Sequence, residues 1–306
     1  MTSDISMPPL SLETMGELLV RTGRLSEDQV ERIISLQSTE NIRFGEAAIQ
    51  LGFLSEREVQ EILANQFNYA HSQADGSALF ANLAIARSPY GNEAEAIRQI
   101  RARIASQIPA GVSSYAITVV SPGPGEGKSY LAASLAVAFS QAGKRTLLVN
   151  GNLRESGQAG LLASRHRTQA GLSTILAGRS PAALNAPLPD FPALTVLDAG
   201  PLPPNPAELL LEPALKRLLQ SFSDQFELFI IDSPAAGQYS DAQIITRQTD
   251  GYVSVARRDL TSLDALLSMN SELAHTGARS LGSVYNAYPH APTDQRRRLP
   301  PRRTAS

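Results

Sequence analysis

Apolar positions follow two different rhythms along the chain. Between residues 15 and 66 they recur every three or four residues, which predicts helices; from residue 115 onward they form short solid runs separated by helical stretches. In the first region, MGELLVRTGRLSEDQVERIISLQ slides onto FGEAAIQLGFLSEREVQEILANQ by 29 positions without a gap. The alignment matches Gly16/Gly45, Glu17/Glu46, Gly23/Gly52, Leu25/Leu54, Ser26/Ser55, Glu27/Glu56, Val30/Val59, Ile33/Ile62 and Gln37/Gln66. Such self-similarity marks a duplicated supersecondary unit. Each copy predicts a short helix, a stop and a longer helix. Gly23 and Gly52 stand where a left-handed residue ends the first helix. Ser26 with Gln29, and Ser55 with Glu58, form capping boxes that start the second. Periodicity therefore predicts a small helical tandem-repeat domain over 1–69, its two halves packed on each other.

Residues 70–92 are small and polar without a clear period and predict a linker. A helix then runs from Glu93 to about Gln107, with Glu95, Arg98 and Arg101 at three-residue spacing. On local grounds this is a solvated face with one i,i+3 ion pair. The run YAITVVS (115–121) predicts a strand, PGPGEGKS a glycine-rich loop, and YLAASLAVAFSQAG a helix that stops at Gly143. Further strands are predicted at Thr146–Asn150, Leu194–Ala199, Glu227–Asp232, Gly251–Ala256 and Leu281–Tyr285. Strands alternating with helices predict an α/β fold with a doubly wound, mainly parallel sheet over 93–290.

Strand, glycine-rich loop and helix in that order are the context of a P-loop. Gly123, Gly125 and Gly127 let backbone N–H groups turn around a phosphate. Lys128 supplies a cation for the β/γ-phosphates, Ser129 a metal-ligating hydroxyl, and the helix N-terminus its dipole. Glu126 and Tyr130 complete the candidate nucleotide-binding set. The pattern GxxxxGK[ST] is broken only at residue 122, which is Pro. Asp232 ends the run LFIID, where an acid can orient Mg²⁺ at the carboxyl end of a strand.

Composition narrows the class. Basic and acidic residues nearly balance, 27 against 29, so no global field recruits nucleic acid. Cysteine is absent, which excludes disulfides, cysteine-ligated metals and a cysteine nucleophile. No apolar run approaches a spanning helix and the first residues lack a signal-peptide pattern, so the expectation is a cytoplasmic protein. Residues 291–306 predict a disordered tail with five arginines, suited to peripheral association with an anionic surface.

The stretch VVSPGPGEGKSYLAASLAVAFSQAGKRTLLVN resembles the bacterial tyrosine kinases, and within them the EpsG-type branch of exopolysaccharide chain-length-determinant kinases. PLPPNPAELL, FELFIIDSPAAGQYSDAQ, SPYGNEAEAIRQIRARI and GSVYNAY are similar to further motifs of that family, and the resemblance spans roughly 88–288. It implies Mg-ATP binding, tyrosine autophosphorylation, and a membrane chain-length determinant (Wzz-like) as partner. It also implies a homo-oligomer packed through Glu95, Arg98 and Arg101, and contact of Asn286 with the adenine base. The catalytic set it implies is Lys128, Asp232, Asn150, Asn152 and Arg154. Here the sequence departs from the family, whose second Walker motif is D-x-D-x-R: both acids have become Asn150 and Asn152. A carboxamide accepts a hydrogen bond but is no general base, so ATP binding should survive while phosphoryl transfer suffers. The family's C-terminal tyrosine cluster is also reduced, to Tyr285 and Tyr288, with Tyr285 expected in the core.

The N-terminal repeat resembles the N-terminal (MshEN-type) domain of type II secretion and pilus ATPases, which implies cyclic di-GMP as a ligand. The matching positions are Arg43, Gly45, Gly52 and Gln66 in the second copy, and Gly16, Gly23 and Gln37 in the first. Two rivals to a kinase follow from the residues. One is a nucleotide-dependent assembly switch with little kinase activity. The other is a MinD/ParA-type ATPase, disfavoured because the loop lacks that group's extra lysine.

Overall fold

The computed structural model describes residues 15–55, 58–59, 80, 83–154, 170–211 and 213–288. Its centre is a six-stranded sheet: β1 (Tyr115–Val120), β2 (Thr146–Asn150), β3 (Leu194–Leu197), β4 (Leu228–Asp232), β5 (Gly251–Arg257) and β6 (Arg279–Asn286). The spatial order is β3-β2-β4-β1-β5-β6 and every pairing is parallel. Strands β1 to β4 are buried throughout, as solid apolar runs covered on both faces should be. One face packs Ile117, Val119, Leu148, Val196 and Ile230 against the P-loop helix; the other packs Leu147, Val149, Leu197, Phe229 and Ile231 beneath Leu215 and Leu219.

Strand β6 breaks this pattern. Among the described residues it pairs with β5 alone, buries only Leu281, and leaves Tyr285 67% exposed. The expectation of a core Tyr285 is thereby corrected: a residue of an edge strand need not face the core. The described part of the linker segment also differs from its sequence reading. Phe80, Leu83, Ile85 and Ala86 are buried in the same core as the P-loop helix, and Phe80 meets Phe191 edge to face at 6.3 Å. Burying a large side chain contributes about 1.5–3 kcal/mol, so this segment is built into the α/β unit. The average polarity of 70–92 conceals these apolar residues.

The repeat shows its duplication in matched contacts. Helix α1 (Met15–Arg21), α2 (Glu27–Glu40) and α3 (Phe44–Gln50) enclose Leu19, Leu25, Ile33, Ala47, Ala48 and Leu54. A Cβ on Gly16 would meet Val30 Cγ1 at 3.0 Å, and a Cβ on Gly45 would meet Val59 Cγ1 at 2.6 Å. At these glycines the short helix of each copy comes close to Val30 and to Val59, respectively. Gly23 and Gly52 have φ of +68° and +69°, as helix-stopping residues require. The Ser26–Gln29 box is formed in both directions, and Ser55 exchanges hydrogen bonds with Glu58.

Candidate functional site

Helix α4 (Ala84–Arg87) and α5 (Asn92–Ala105) precede β1; α6 (Lys128–Gln141) follows the glycine-rich loop. The loop is a turn only glycine can make at two points. Gly125 and Gly127 have φ of +73° and +104°, and a Cβ on Gly127 would stand 2.5 Å from Asn286 Nδ2. This produces a concave run of backbone at the N-terminus of α6, a cradle for an anion. Lys128 is buried, and its Nζ donates to the Gly123 carbonyl at 3.3 Å. Proline at 122 is accommodated because that residue is used through its carbonyl, which accepts from Gly237 N at 2.9 Å.

The loop is tied down from the strands beside it. Glu126 accepts from Gly123 N at 2.7 Å and from the Thr261 hydroxyl. Asn286 Nδ2 donates to the Glu126 carbonyl at 3.0 Å, and Arg257 Nη1 donates to the Gly125 carbonyl at 2.6 Å. Glu126 and Asn286 thus hold the loop's shape. Arg257 and Thr261 were not singled out in the sequence, since nothing local marks the ends of β5 as neighbours of residue 125.

A cleft of about 240 Å³ opens beside the loop, lined by Gly127, Lys128, Ser129, Asn152, Gln238 and Tyr239 among others. Tyr130 borders it, but its hydroxyl turns away, donating to Glu93 Oε1 at 2.6 Å and accepting from Ala84 N at 3.1 Å. Burial, then the Glu93 carboxylate, pushes this phenol up to about 12.

The sheet edge below the cleft carries the acids. Asp232 is buried and lies in register with Asn150 across the β2–β4 pair. Asn150 is buried as well; its Oδ1 accepts from Asn152 N at 3.2 Å, and Asn152 Oδ1 accepts from Arg154 N at 3.2 Å. Each carboxamide therefore orders the turn after β2. Arg154 is committed to Asp241, at the start of α10 (Asp241–Thr246), by two bonds of 2.7 Å, and its guanidinium lies 4.1 Å over the Tyr239 ring. Here α7 (Leu172–Leu176), α8 (Pro206–Leu209) and α9 (Ala214–Ser221) intervene in the chain. Arg154 fixes the cleft wall; its first pull is the hydrogen bond to Asp241, which raises its pKa. Asp241 is fully buried, so Arg154→Ala should cost about 2 kcal/mol or more by leaving that carboxylate unpaired. Thermal melts should fall by several degrees, and Asp241→Asn should recover part of the loss.

Asp198, directly after β3, is half-buried, and burial pushes its carboxyl from near 3.8 up to about 6. Its ionisation opposes folding: the native state holds more protons than the unfolded chain from about pH 4 to 6, so stability falls as pH rises through that window. Asp198→Asn should raise the melting temperature at pH 8, with the gain vanishing near pH 4.

Of the other candidates, Glu95 is exposed and pairs with Arg98 at 3.2 Å. Arg98 also donates to the Pro89 carbonyl, and Arg101 to the Ala138 carbonyl at 3.0 Å near the end of α6. Both arginines thus have roles inside one chain. In the repeat, Arg43 and Gly52 are exposed, Gln37 is partly so, and Gly16, Gly23, Gly45 and Gly52 are accounted for by packing and turns. Gln66 lies outside the described residues, as does the tail after residue 288.

Parallel sheet, strand order and glycine-rich loop define an α/β protein of the P-loop NTPase type. No family model matches the chain. It is 32% identical over 212 residues to the tyrosine-protein kinase YwqD of Bacillus subtilis, covering 69% of this chain and 88% of that one. To the tyrosine-protein kinase CpsD of Streptococcus agalactiae it is 31% identical over 176 residues, 56% and 74% of the two chains. Among solved structures, the chimerical protein CapA2B2 superposes with a TM-score of 0.61 at 30% identity, over 76% of this chain and all of that one. The BceF tyrosine kinase domain gives 0.58 at 25%, over 77% and 90%. The chain belongs to the bacterial tyrosine-protein kinase family.

Proposed function

We propose that this chain binds Mg-ATP in the loop 123–129 and transfers its γ-phosphoryl group to tyrosine, within an exopolysaccharide-export system. The observation that carries this is the glycine-framed cradle at the start of α6 with Lys128 buried inside it. Lys128 would hold the β/γ-phosphates and Asn286 would keep the loop in shape beside the base. The donor set suits Mg²⁺: Ser129 supplies a hydroxyl and Asp232 a buried carboxylate. No group of three or more His, Cys, Asp or Glu gathers as a metal cage among the described residues, and Mg²⁺ is commonly held by one or two carboxylates plus substrate phosphates. When bound, Mg²⁺ would neutralise charge developing on the phosphate oxygens. Tyr285 and Tyr288, 67% and 69% exposed, are available as acceptors.

No described helix is long and apolar enough to cross a membrane. In this reading the chain works at the inner face of the cell membrane through a Wzz-like partner, as a homo-oligomer to which the exposed Glu95 can contribute. Incubation with labelled ATP and Mg²⁺ followed by phosphotyrosine detection tests the kinase reading. The two carboxamides favour a second one, a nucleotide-dependent assembly switch. That reading gains if ATP changes the particle size while no phosphotyrosine forms.

A further inference from the structure

Two side chains hold the glycine-rich loop from the ends of neighbouring strands, and one exposed tyrosine touches both. Arg257, the last residue of β5, donates from Nη1 to the Gly125 carbonyl at 2.6 Å. Asn286, the last residue of β6, donates from Nδ2 to the Glu126 carbonyl at 3.0 Å. Tyr288 N donates to Asn286 Oδ1 at 3.1 Å, and the Arg257 guanidinium stands 5.9 Å from the centroid of the Tyr288 ring. At that distance the contact is a weak cation–π pairing. Tyr288 is otherwise largely exposed.

The neighbouring arginine is differently placed. Arg258 N donates to the Asn286 carbonyl at 2.9 Å, while its side chain pairs with the Asp259 carboxylate at 3.3 Å. Arg257, in contrast, serves a neutral carbonyl of the loop. A guanidinium is a rigid fork of donors that grips an anion with two parallel bonds. The Gly125 carbonyl offers neither the charge nor the second oxygen. An anion attached to the Tyr288 ring would therefore compete with the loop for Arg257.

We infer that Tyr288 is a phosphorylation site whose phosphate draws Arg257 off the Gly125 carbonyl and so weakens nucleotide binding. The inference rests on the kinase reading above. In the step, the phenol oxygen bonds to the γ-phosphorus of ATP, and the bond from that phosphorus to the β–γ bridging oxygen breaks. ADP leaves with that electron pair, and the phenol proton passes to solvent water. The phosphate brings a charge of about −1.5 to −2 at neutral pH. Gly125, held at φ +73°, then loses its tie to β5, and the loop amides are less well arranged before a nucleotide arrives. Each phosphorylated chain thus binds its next ATP more weakly, a feedback from product to nucleotide site.

The test uses the full chain with phosphotyrosine incorporated at position 288 during translation, so that the phosphate does not depend on the chain's own activity. Affinity for ADP with Mg²⁺ is read by calorimetry. The phosphate should weaken binding by about tenfold, the loss expected for one hydrogen bond from a charged group, and a phosphatase should restore it. Arg257→Gln should weaken binding by a similar factor, and the phosphate should then add little; in Arg258→Gln the full effect of the phosphate should remain. Equal affinities with and without the phosphate overturn the inference. So does a loss that persists in Arg257→Gln, which would be plain repulsion between phosphotyrosine and nucleotide. The unmodified chain, incubated with ATP and Mg²⁺, should carry phosphate on Tyr288 by mass spectrometry. Phosphate on other tyrosines but not on Tyr288 overturns the inference and leaves the kinase reading standing; no phosphotyrosine at all overturns both.

Discussion

Lys128→Ala should weaken ATP binding by 10²-fold or more and remove phosphotyrosine formation altogether. The Lys128 side chain is buried, with its ammonium held 3.3 Å from the Gly123 carbonyl on the inner side of the loop. A cation so placed meets the triphosphate where little water competes. Hydrogen bonds to charged groups contribute about 1.5–3 kcal/mol each, and an ammonium can make two to the phosphates, which suffices for the stated loss. Alanine is the best helix former, so α6 should survive the change. Lys128→Arg should not restore affinity, because a planar fork does not fit the place of a compact point charge. Calorimetric titration with ATP and Mg²⁺ reads the effect directly. Equal affinities for parent and variant would remove the loop from the nucleotide site.

The sheet was legible in the sequence because parallel strands covered on both faces read as solid apolar runs, and YAITVV, TLLV and LFII do so without ambiguity. The loop was legible because Gly-Lys-Ser after a strand has a chemistry of its own. Edge and register were not. Whether Tyr285 is core or surface depends on β6 having one neighbour instead of two, and nothing within ten residues of Tyr285 encodes that. The arginines of α5 read as a surface face, yet Arg101 reaches a carbonyl 37 residues away. Asp198 reads as an acid after a short strand. That it is half-buried there is a property of the fold and not of the local sequence. The departure from D-x-D-x-R is visible in the sequence itself.

The register of Asn150 with Asp232 separates two effects of restoring the acids. Asn150→Asp would set a second carboxylate one strand spacing from buried Asp232. At an effective dielectric near 20 and about 5 Å, two such charges repel by about 3 kcal/mol. In EDTA at pH 8 the variant should therefore melt several degrees below the parent. Asn152 stands in the cleft wall, where a carboxylate keeps contact with water, so Asn152→Asp alone should shift the metal-free melt little. With ADP and Mg²⁺ both changes should favour the metal, since a hard cation prefers a carboxylate to a carboxamide. At about tenfold each, the half-saturating Mg²⁺ concentration of the double variant should fall by about 10²-fold, the equivalent of roughly 2.7 kcal/mol. Melting temperature against Mg²⁺ at fixed ADP measures this without reference to turnover. At saturating Mg²⁺ the phosphorylation rate should also rise, by about tenfold or more, because a restored carboxylate can take the tyrosine proton as a carboxamide cannot. An unchanged rate at saturating metal would instead show that the acids missing from the end of β2 do not limit the chemistry.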